Sequence, residues 1–231
     1  MSQASNFDPK LHPVLGVDSH LPVVPRERLE IAYIRNLFTD KSVVGGTEVF
    51  GDYSRLDEDA HLNNPVQASV LFAIVGRPEP TLLFTMRSPS LRKHSGQISF
   101  AGGRLDSGDA SNTHAALREA QEEIGLEPSK VEVLGEMSKY LTGTGYIVTP
   151  VVALVDPQMQ LTLNPHEVTE TFEVPLQFLM NPSHHRRHQR AVQGKTREWF
   201  SMPFHQNGED RFIWGATAGM IRNFYHFLMH E

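Results

Sequence analysis

The sequence predicts a single domain of the α/β (α+β) class, in which helices cover the faces of a mixed sheet. Three observations support this class. Runs rich in β-branched and aromatic residues alternate irregularly with runs of helical period, neighbouring strands are joined by links short enough for hairpins, and 231 residues suffice for one sizeable core rather than two. We therefore expect an N-terminal arm over residues 1–25 and one domain over residues 26–231.

The first elements are justified in order along the chain. Residues 1–25 contain four prolines without a hydrophobic period and predict an arm or linker. Residues 26–38 have apolar side chains at helical spacing, which predicts an amphipathic helix, and residues 45–65 are polar and predict a loop. Two β-rich runs, residues 66–75 and 81–86, flank a turn-forming segment and predict a hairpin.

The remaining elements mix strands and helices. A helix over residues 113–124 is predicted to end at Gly125, because glycine adopts the left-handed backbone that follows many helices. The other predicted elements are strands at residues 97–100, 131–137, 148–155, 169–174 and 198–202, a short helix at 176–180 and a closing helix at 214–229. Strands in this irregular order favour a mixed sheet over a regular parallel one.

Composition limits the classes of function. The formal net charge of −6 argues against a general affinity for nucleic acid or an anionic membrane. The absence of cysteine excludes disulfides, thiolate metal sites and a cysteine nucleophile. No apolar run is long enough for a membrane span, and the first residues lack the pattern of a secretory signal. We expect a cytoplasmic protein whose partner is a small molecule.

The predicted helix at residues 113–124 carries the most informative pattern. Glu119, Glu122 and Glu123 follow one another at i, i+3 and i+4, which places them on one side of the helix, opposite its apolar face. Three carboxylates so close repel one another unless a cation lies among them, and oxygen ligands suit Mg²⁺ or Mn²⁺. A solvated acidic helix face is the alternative interpretation.

Residues that flank the helix favour a site over a solvated face. Gly102-Gly103 comes directly after a predicted strand and allows backbone to approach a phosphate closely. Arg118 stands beside the glutamates, where it can pair with and orient a carboxylate. Gly125 ends the helix where the acidic pattern ends.

This segment resembles the Nudix box, whose pattern is Gly, five residues, Glu, seven residues, then Arg-Glu-apolar-x-Glu-Glu-x-Gly-apolar. Three positions depart from it: Asp109 replaces the early Glu, eight residues rather than seven precede Arg118, and the apolar position is Ala120. The matching residues are Gly103, Arg118, Glu119, Glu122, Glu123, Gly125 and Leu126. The resemblance implies a Nudix-type α/β/α sandwich with the box as a loop-helix-loop.

The preceding segment narrows the resemblance. Residues 82–103 are similar to the extended signature of coenzyme A diphosphatases, a branch that also has the longer gap and an Asp at the position of Asp109. Ala101 stands where that branch usually has proline. The matching residues are Arg87, Ser88, Leu91, Arg92, His94, Gly96, Gln97 and Phe100. With further matches downstream, the resemblance covers roughly residues 66–225.

The charge distribution fits such a substrate. From Thr81 to Leu105 the chain has four basic residues, one histidine and no acid, so one side of the site can hold phosphate while the other holds the metal. For Arg92 and His94 an ordinary surface loop is the alternative. The predicted substrate-binding residues are Arg87, Arg92, His94, Gln97, Gly102 and Gly103. The run at residues 184–190 either reads the 3′-phosphate or, as its composition favours, is a solvated basic loop.

The resemblance implies hydrolysis of the coenzyme A diphosphate to 3′,5′-ADP and 4′-phosphopantetheine. Glu119 and Glu123 would bind Mg²⁺ or Mn²⁺, Glu122 would share the site or hold a second ion, and Arg118 would orient the carboxylates. The catalytic base stays open among three acids, namely Glu122, Glu167 and Glu170.

Two other readings of the sequence compete with this one. A Nudix hydrolase for ADP-ribose, NADH or another nucleoside diphosphate derivative would share the box. A non-catalytic nucleotide-binding module would be expected to lose box carboxylates, and this chain keeps all three. The arm and the first helix are candidates for a homodimer contact.

Overall fold

The computed structural model describes residues 7–39, 50–51, 65–91, 94–192 and 195–229. The helices within these ranges are α1 (Ile31–Thr39), α2 (Asn112–Ile124), α3 (Leu176–Leu179) and α4 (Gly215–Met229). The strands up to residue 136 are β1 (Gly16–Val17), β2 (Phe50–Gly51), β3 (Val66–Val75), β4 (Thr81–Arg87), β5 (Ile98–Ser99), β6 (Gly102–Arg104) and β7 (Val131–Glu136). The later strands are β8 (Tyr140–Leu141), β9 (Tyr146–Val155), β10 (Val168–Pro175), β11 (Arg186–Val192), β12 (Lys195–Gln206) and β13 (Glu209–Trp214).

A mixed sheet forms the centre of the molecule. In the described part of the chain its order is β10-β4-β3-β9-β8-β2, with β5, β6 and β7 paired to β4, β3 and β9. Strands β3 and β9 run parallel over ten residue pairs, whereas β4 is antiparallel to both β3 and β10. The predicted hairpin is confirmed, because Ile74 pairs with Leu82 across its turn.

Helices cover both faces of this sheet. Alternate residues of β3 point to opposite faces: Leu71 and Ala73 pack against α2, and Phe72 and Ile74 pack in the core that contains α1 and α4. Burial on both faces explains why β3 and β9 are apolar almost throughout. The predicted α/β/α sandwich with a mixed sheet is therefore confirmed.

Helix α2 begins and ends at residues that the sequence supplies for this purpose. The hydroxyl oxygen of Ser111 accepts a hydrogen bond from the backbone N–H of His114 at 3.0 Å and caps the first turn. Gly125 has φ +66° and ends the helix in the left-handed region, and a Cβ there would also lie 2.8 Å from the carbonyl oxygen of Thr162. The predicted helix and its stop are thus confirmed.

A second, antiparallel sheet has the order β1-β11-β12-β13. The predicted solvated loop at residues 184–190 is wrong, because most of it forms β11. His185 and His188 are buried there, and the nitrogen atoms of their rings are within hydrogen-bonding distance of the Leu179 carbonyl and the Ser201 hydroxyl. Because histidine is polar, a run of histidines suggests an exposed loop. A histidine can nevertheless be buried in a core when its ring has a hydrogen-bond partner.

The arm is docked rather than extended. Its β1 pairs with β11, and the buried carboxylate of Asp18 is 2.9 Å from a guanidinium nitrogen of Arg222 in α4 and 2.9 Å from one of Arg187 in β11. A strand of two residues is too short to give a sequence period, so the pattern predicts none. The division into an arm and one domain stays a prediction.

Most remaining elements agree with the sequence, with shifted bounds. The predicted helix at residues 26–38 is divided into a 3₁₀ turn at Arg26–Leu29 and α1. The predicted strand at 198–202 is the middle of the longer β12. The predicted loop at residues 45–65 lies outside the described residues, apart from β2 and Pro65. In the ranges that the structure describes, no helix is long and apolar enough to cross a membrane.

Candidate active site

The carboxylate helix α2 approaches β6 at two glycines. The backbone N–H of Gly102 donates a hydrogen bond to Oε2 of Glu123 at 3.2 Å. A Cβ at Gly103 would lie 2.5 Å from the carboxyl carbon of Glu119, and a Cβ at Gly102 would lie 2.4 Å from the carbonyl oxygen of Ser69. Gly102 therefore requires glycine because a Cβ would clash with the backbone of β3, whereas a Cβ at Gly103 would displace the carboxylate of Glu119.

Glu123 is buried, contrary to its predicted place on the helix face opposite the apolar residues. Its side chain is 3% exposed, and Nη1 of Arg87 lies 3.7 Å from its Oε1. Burial raises the pKa of Glu123 to about 7, and the charges of Glu119 and Glu167 act in the same direction. Glu123 is buried because β6 and the end of β4 cover the side of α2 on which it lies.

Arg118 organises the carboxylates around it, as the sequence predicts. Its Nε and Nη2 donate to the two oxygens of Asp109 at 3.0 and 2.9 Å, and its Nη1 donates to both Glu119 and Glu122 at 2.9 Å. The side chain of Asp109 is 1% exposed, and hydrogen bonds from Arg118 hold the pKa of Asp109 well below its usual range. Asp109 thus anchors Arg118, which orients the two glutamates.

The chemistry of the donors suits a hard divalent cation. Burial raises the pKa of Glu119, and the charges of Glu122 and Glu167 raise it further. A cation among these oxygens would relieve both the burial and the repulsion. Within the described ranges, no three acidic or histidine side chains converge as a preformed metal site. The assignment of Glu119, Glu122 and Glu123 as ligands stays a prediction.

The acids proposed as the base have different surroundings. Glu167 is close enough for its charge to act on both Glu119 and Glu123, and Nδ2 of Asn164 donates to its Oε1 at 3.2 Å. Glu170 instead accepts two hydrogen bonds from Arg211 of β13, at 2.7 and 2.5 Å. Glu167 therefore shares the carboxylate site, whereas Glu170 joins the central sheet to the second sheet.

The predicted substrate-binding residues are partly assembled. Arg87 ends β4 beside Glu123, and its buried Nε has no hydrogen-bond partner in the part of the chain that the structure describes. His94 has φ +57°, a backbone conformation that is uncommon outside glycine, and its Nδ1 is 2.9 Å from Oε1 of Gln97. Gly102 and Gly103 line the approach to α2, as described above. Arg92 lies outside the described residues, so its predicted role stays a prediction.

A cleft of about 530 Å³ lies beside this site. Its walls are the arm at residues 7–11, the segment at residues 95–98 and β13. No sequence pattern assigns Phe7, Phe212 or Trp214 to a site, because they lie outside both motifs. The one available signal is the downstream similarity that includes Trp214.

Comparisons with known proteins agree with this geometry. The model of the NUDIX domain matches residues 65–201. An uncharacterized Nudix hydrolase, NudL, of Klebsiella pneumoniae is 43% identical over 165 residues, which are 70% of this chain and 82% of that protein. NudL of Escherichia coli K12 is 44% identical over 160 residues, covering 69% of this chain and 81% of that protein.

Solved structures give more distant matches. The Caenorhabditis elegans Ap4A hydrolase binary complex has a TM-score of 0.42 at 17% identity and covers 49% of this chain and 85% of that one. The MutT protein of Methanosarcina mazei has a TM-score of 0.41 at 21% identity and covers 51% of this chain and 83% of that one. The family model and the NudL relatives carry the assignment: the chain belongs to the Nudix family and is a hydrolase that acts on a nucleoside diphosphate derivative.

Proposed function

We propose that this Nudix hydrolase cleaves the diphosphate bond of coenzyme A and acyl-coenzyme A with Mg²⁺ or Mn²⁺, giving 3′,5′-ADP and (acyl-)4′-phosphopantetheine. One observation carries the proposal. Arg87 belongs to the segment that resembles the coenzyme A signature, and it lies 3.7 Å from Glu123 of the box. One residue of that signature, Arg87, therefore borders the carboxylate site, which supports a role of the segment in binding the substrate.

In the proposed mechanism Glu119 and Glu123 hold the divalent ion and Glu122 completes the site. Such an ion neutralises charge on the diphosphate and makes a water molecule more acidic. Arg118 keeps the carboxylates of Glu119 and Glu122 turned inward through its two bonds from Nη1. Gly102 fixes Glu123 by its backbone N–H. No side chain acts as nucleophile, so water attacks one phosphorus of the bridge.

Two further residues act on the reacting groups. We propose that Glu167 is the base that accepts a proton from the attacking water. The other two acids are paired, Glu122 with Arg118 and Glu170 with Arg211. Arg87 is the donor offered to a phosphate oxygen, since its Nε–H has no hydrogen-bond partner among the described residues. Its guanidinium charge offsets negative charge that develops on the phosphate.

The reaction itself is the first prediction. Incubation of the protein with coenzyme A and Mg²⁺ or Mn²⁺ should give 3′,5′-ADP and 4′-phosphopantetheine in equal amounts, without inorganic phosphate, because water attacks only the bridge. Short acyl-coenzyme A esters should react as well, since the thioester lies far from the bond that breaks. Anion-exchange chromatography of the products is the measurement, with a metal-free reaction containing EDTA as control.

Other outcomes separate the competing functions. If coenzyme A stays intact while ADP-ribose or NADH is split rapidly, the substrate assignment is wrong and the Nudix chemistry stands. If neither metal supports hydrolysis of any of these diphosphates, the protein is a binding module with a retained box. Mass spectrometry of products formed in H₂¹⁸O would identify the phosphorus that water attacks.

A further inference from the structure

The cleft beside the carboxylate site is built by parts of the chain that flank the matched family domain. The NUDIX domain match covers residues 65–201, whereas the arm at residues 7–11 and β13 both lie outside it. Only Met86 and the segment at residues 95–98 come from within the matched region. The walls of the cleft therefore come mainly from segments outside the matched domain, and the similarity to the coenzyme A branch continues through Trp214 of β13.

The wall of the cleft is aromatic. Phe7, Phe212 and Trp214 line it, and each is partly exposed. The ring centres of Phe7 and Trp214 lie 5.8 Å apart at 54°. Solvent-accessible aromatic faces in a concave site favour a planar ligand, because each base of a nucleotide has a face that can stack on such a ring.

The charges of the cleft disfavour a phosphate group. Lys10 lies with its ammonium 5.9 Å from the centre of the Phe212 ring, but two carboxylates, Asp8 and Asp210, also line the cleft. A second cation, Arg190, lies 5.1 Å from the centre of the Phe7 ring, so two cations stand against two anions and give no excess of positive charge for a phosphate. Oδ1 of Asp8 accepts from the backbone N–H of Lys10, and Oδ1 of Asp210 lies 2.7 Å from Nδ1 of His205, but a carboxylate has further acceptor sites that suit the amino group of a base. The basic groups expected to hold the diphosphate lie instead on the side of Arg87.

The cleft and the carboxylate site meet at the end of β4. Met86 lines the cleft, and the next residue, Arg87, contacts Glu123. Consecutive residues of a strand point to opposite faces, so the two sites lie on the two sides of one strand end. Ile98 lines the cleft and Gly102 donates to Glu123, and four residues span at most about 14 Å. A nucleoside joined to a diphosphate at the carboxylate helix would reach the cleft by passing the turn in which Gly96 and Gln97 are hydrogen-bonded to the backbone of Arg87.

We propose that the aromatic cleft formed by Phe7, Phe212 and Trp214 binds the nucleobase of the substrate while its diphosphate lies at the carboxylate helix. This inference rests on the proposed function, because it names where one end of that substrate lies. It assigns the arm a role in substrate selection, since Phe7 and Lys10 supply one wall. The other end of the substrate, the pantetheine arm in coenzyme A, then leaves the diphosphate away from the cleft.

The test is a binding measurement that needs no turnover. The probe is α,β-methylene-ADP, whose bridge resists hydrolysis, and methylenediphosphonate serves as the same bridge without a base. The protein has two tryptophans, and Trp214 lines the cleft, so quenching of intrinsic fluorescence in the presence of Mg²⁺ reports occupancy. Phe212→Ala should raise Kd for α,β-methylene-ADP by at least about tenfold through the lost stacking surface. Its Kd for methylenediphosphonate should not change.

The chain supplies a matched control and a second variant. Phe204 lies on the neighbouring strand β12, is partly buried like Phe212 and does not line the cleft, so Phe204→Ala should leave Kd for both probes unchanged. Phe7→Ala removes a ring near the start of the chain and tests the same wall if Phe212→Ala fails to fold. Phe212→Tyr keeps the ring and should restore binding.

Each remaining result overturns the inference. An unchanged Kd for α,β-methylene-ADP in both Phe212→Ala and Phe7→Ala means that the base lies elsewhere, as does wild-type protein that binds methylenediphosphonate equally well. If the two variants are inhibited more weakly by 4′-phosphopantetheine and bind the nucleotide as the wild type does, the opposite end of the substrate lies in the cleft. The proposed function is tested by a different experiment. If it is wrong, the wild-type protein does not hydrolyse coenzyme A.

Discussion

At the scale of single residues, the site depends on one buried glutamate and one arginine. Glu123 is held by the backbone of Gly102 and faces Arg87, and Arg118 links Asp109 to Glu119 and Glu122. A carboxylate is costly to bury unless it is paired or binds a cation. Burial raises the pKa of Glu123 despite these two partners, and a carboxyl group perturbed in this way beside other carboxylates is typical of a functional site.

Replacing the central carboxylates should reduce turnover without loss of the fold. Glu119→Gln or Glu123→Gln is expected to lower kcat by at least about 100-fold, because the ion loses a charged ligand. In Glu123→Gln the new amide oxygen can still accept from Gly102, so the midpoint of thermal unfolding should stay near that of the wild type. The matched control is Glu127→Gln, since Glu127 is an exposed acid just after the same helix. Near-normal turnover in both folded variants would contradict the metal assignment.

At the scale of elements, β10 shows how neighbouring acids acquire different roles. Glu167 precedes the strand and contributes to the carboxylate site, whereas Glu170 inside it pairs with Arg211 of the second sheet. The sequence places both acids near the start of one strand and cannot separate them. Their difference arises from Arg211, which comes from β13, a strand that the sequence pattern does not predict.

The two acids predict opposite phenotypes for the same substitution. Glu167→Gln should lower kcat by about 100-fold, within the range typical of a lost general base, with little change in the free energy of unfolding. Glu170→Gln should leave kcat near the wild-type value and lower stability, because Arg211 keeps a buried charge with a weaker partner. Steady-state kinetics and urea unfolding of both variants are the measurements. The reverse pattern would assign the base to Glu170.

The elements with a strong local signal are predictable from the sequence. Helix α2 has a cap at Ser111, a stop at Gly125 and a regular apolar face, and the β3–β4 hairpin has a turn between two apolar runs. Strand β11 escapes prediction because the buried position among its described residues is a histidine, His188, and β1 because it has two residues. The cleft is unpredictable for a related reason: its walls come together only through contacts between distant segments.

At the scale of the whole molecule, buried polar groups join the arm, the second sheet and α4. Asp18 pairs with Arg222 and Arg187, and the ring of His185 lies close enough for the charges of Asp18 and Arg222 to act on it. Because the arm also forms a wall of the cleft, the stability of this junction and the shape of the proposed base site are linked.

His185 makes this junction sensitive to acid. It is fully buried, its Nε2 is 2.7 Å from the carbonyl oxygen of Leu179, and its Nδ1 has no hydrogen-bond partner within the described ranges. Burial lowers its pKa from 6.5 to about 4, with the charge of Arg222 acting in the same direction, while Leu179 and Asp18 oppose the shift. Since the folded pKa lies below the unfolded one, the contribution to stability is complete above about pH 6.5 and is lost as the pH falls toward 4.

Replacement of this histidine should therefore flatten the pH dependence of stability. For a shift of this size, wild-type protein should lose about 2 kcal/mol between pH 7.5 and pH 5 from His185 alone. In His185→Gln the amide can still donate to Leu179 but does not titrate, so its loss over the same range should be smaller by that amount. Urea unfolding of both proteins at the two pH values measures the difference, in which all other titrating groups cancel. Equal losses of the free energy of unfolding in the two proteins would mean that protonation of His185 does not cause the acid sensitivity of the junction.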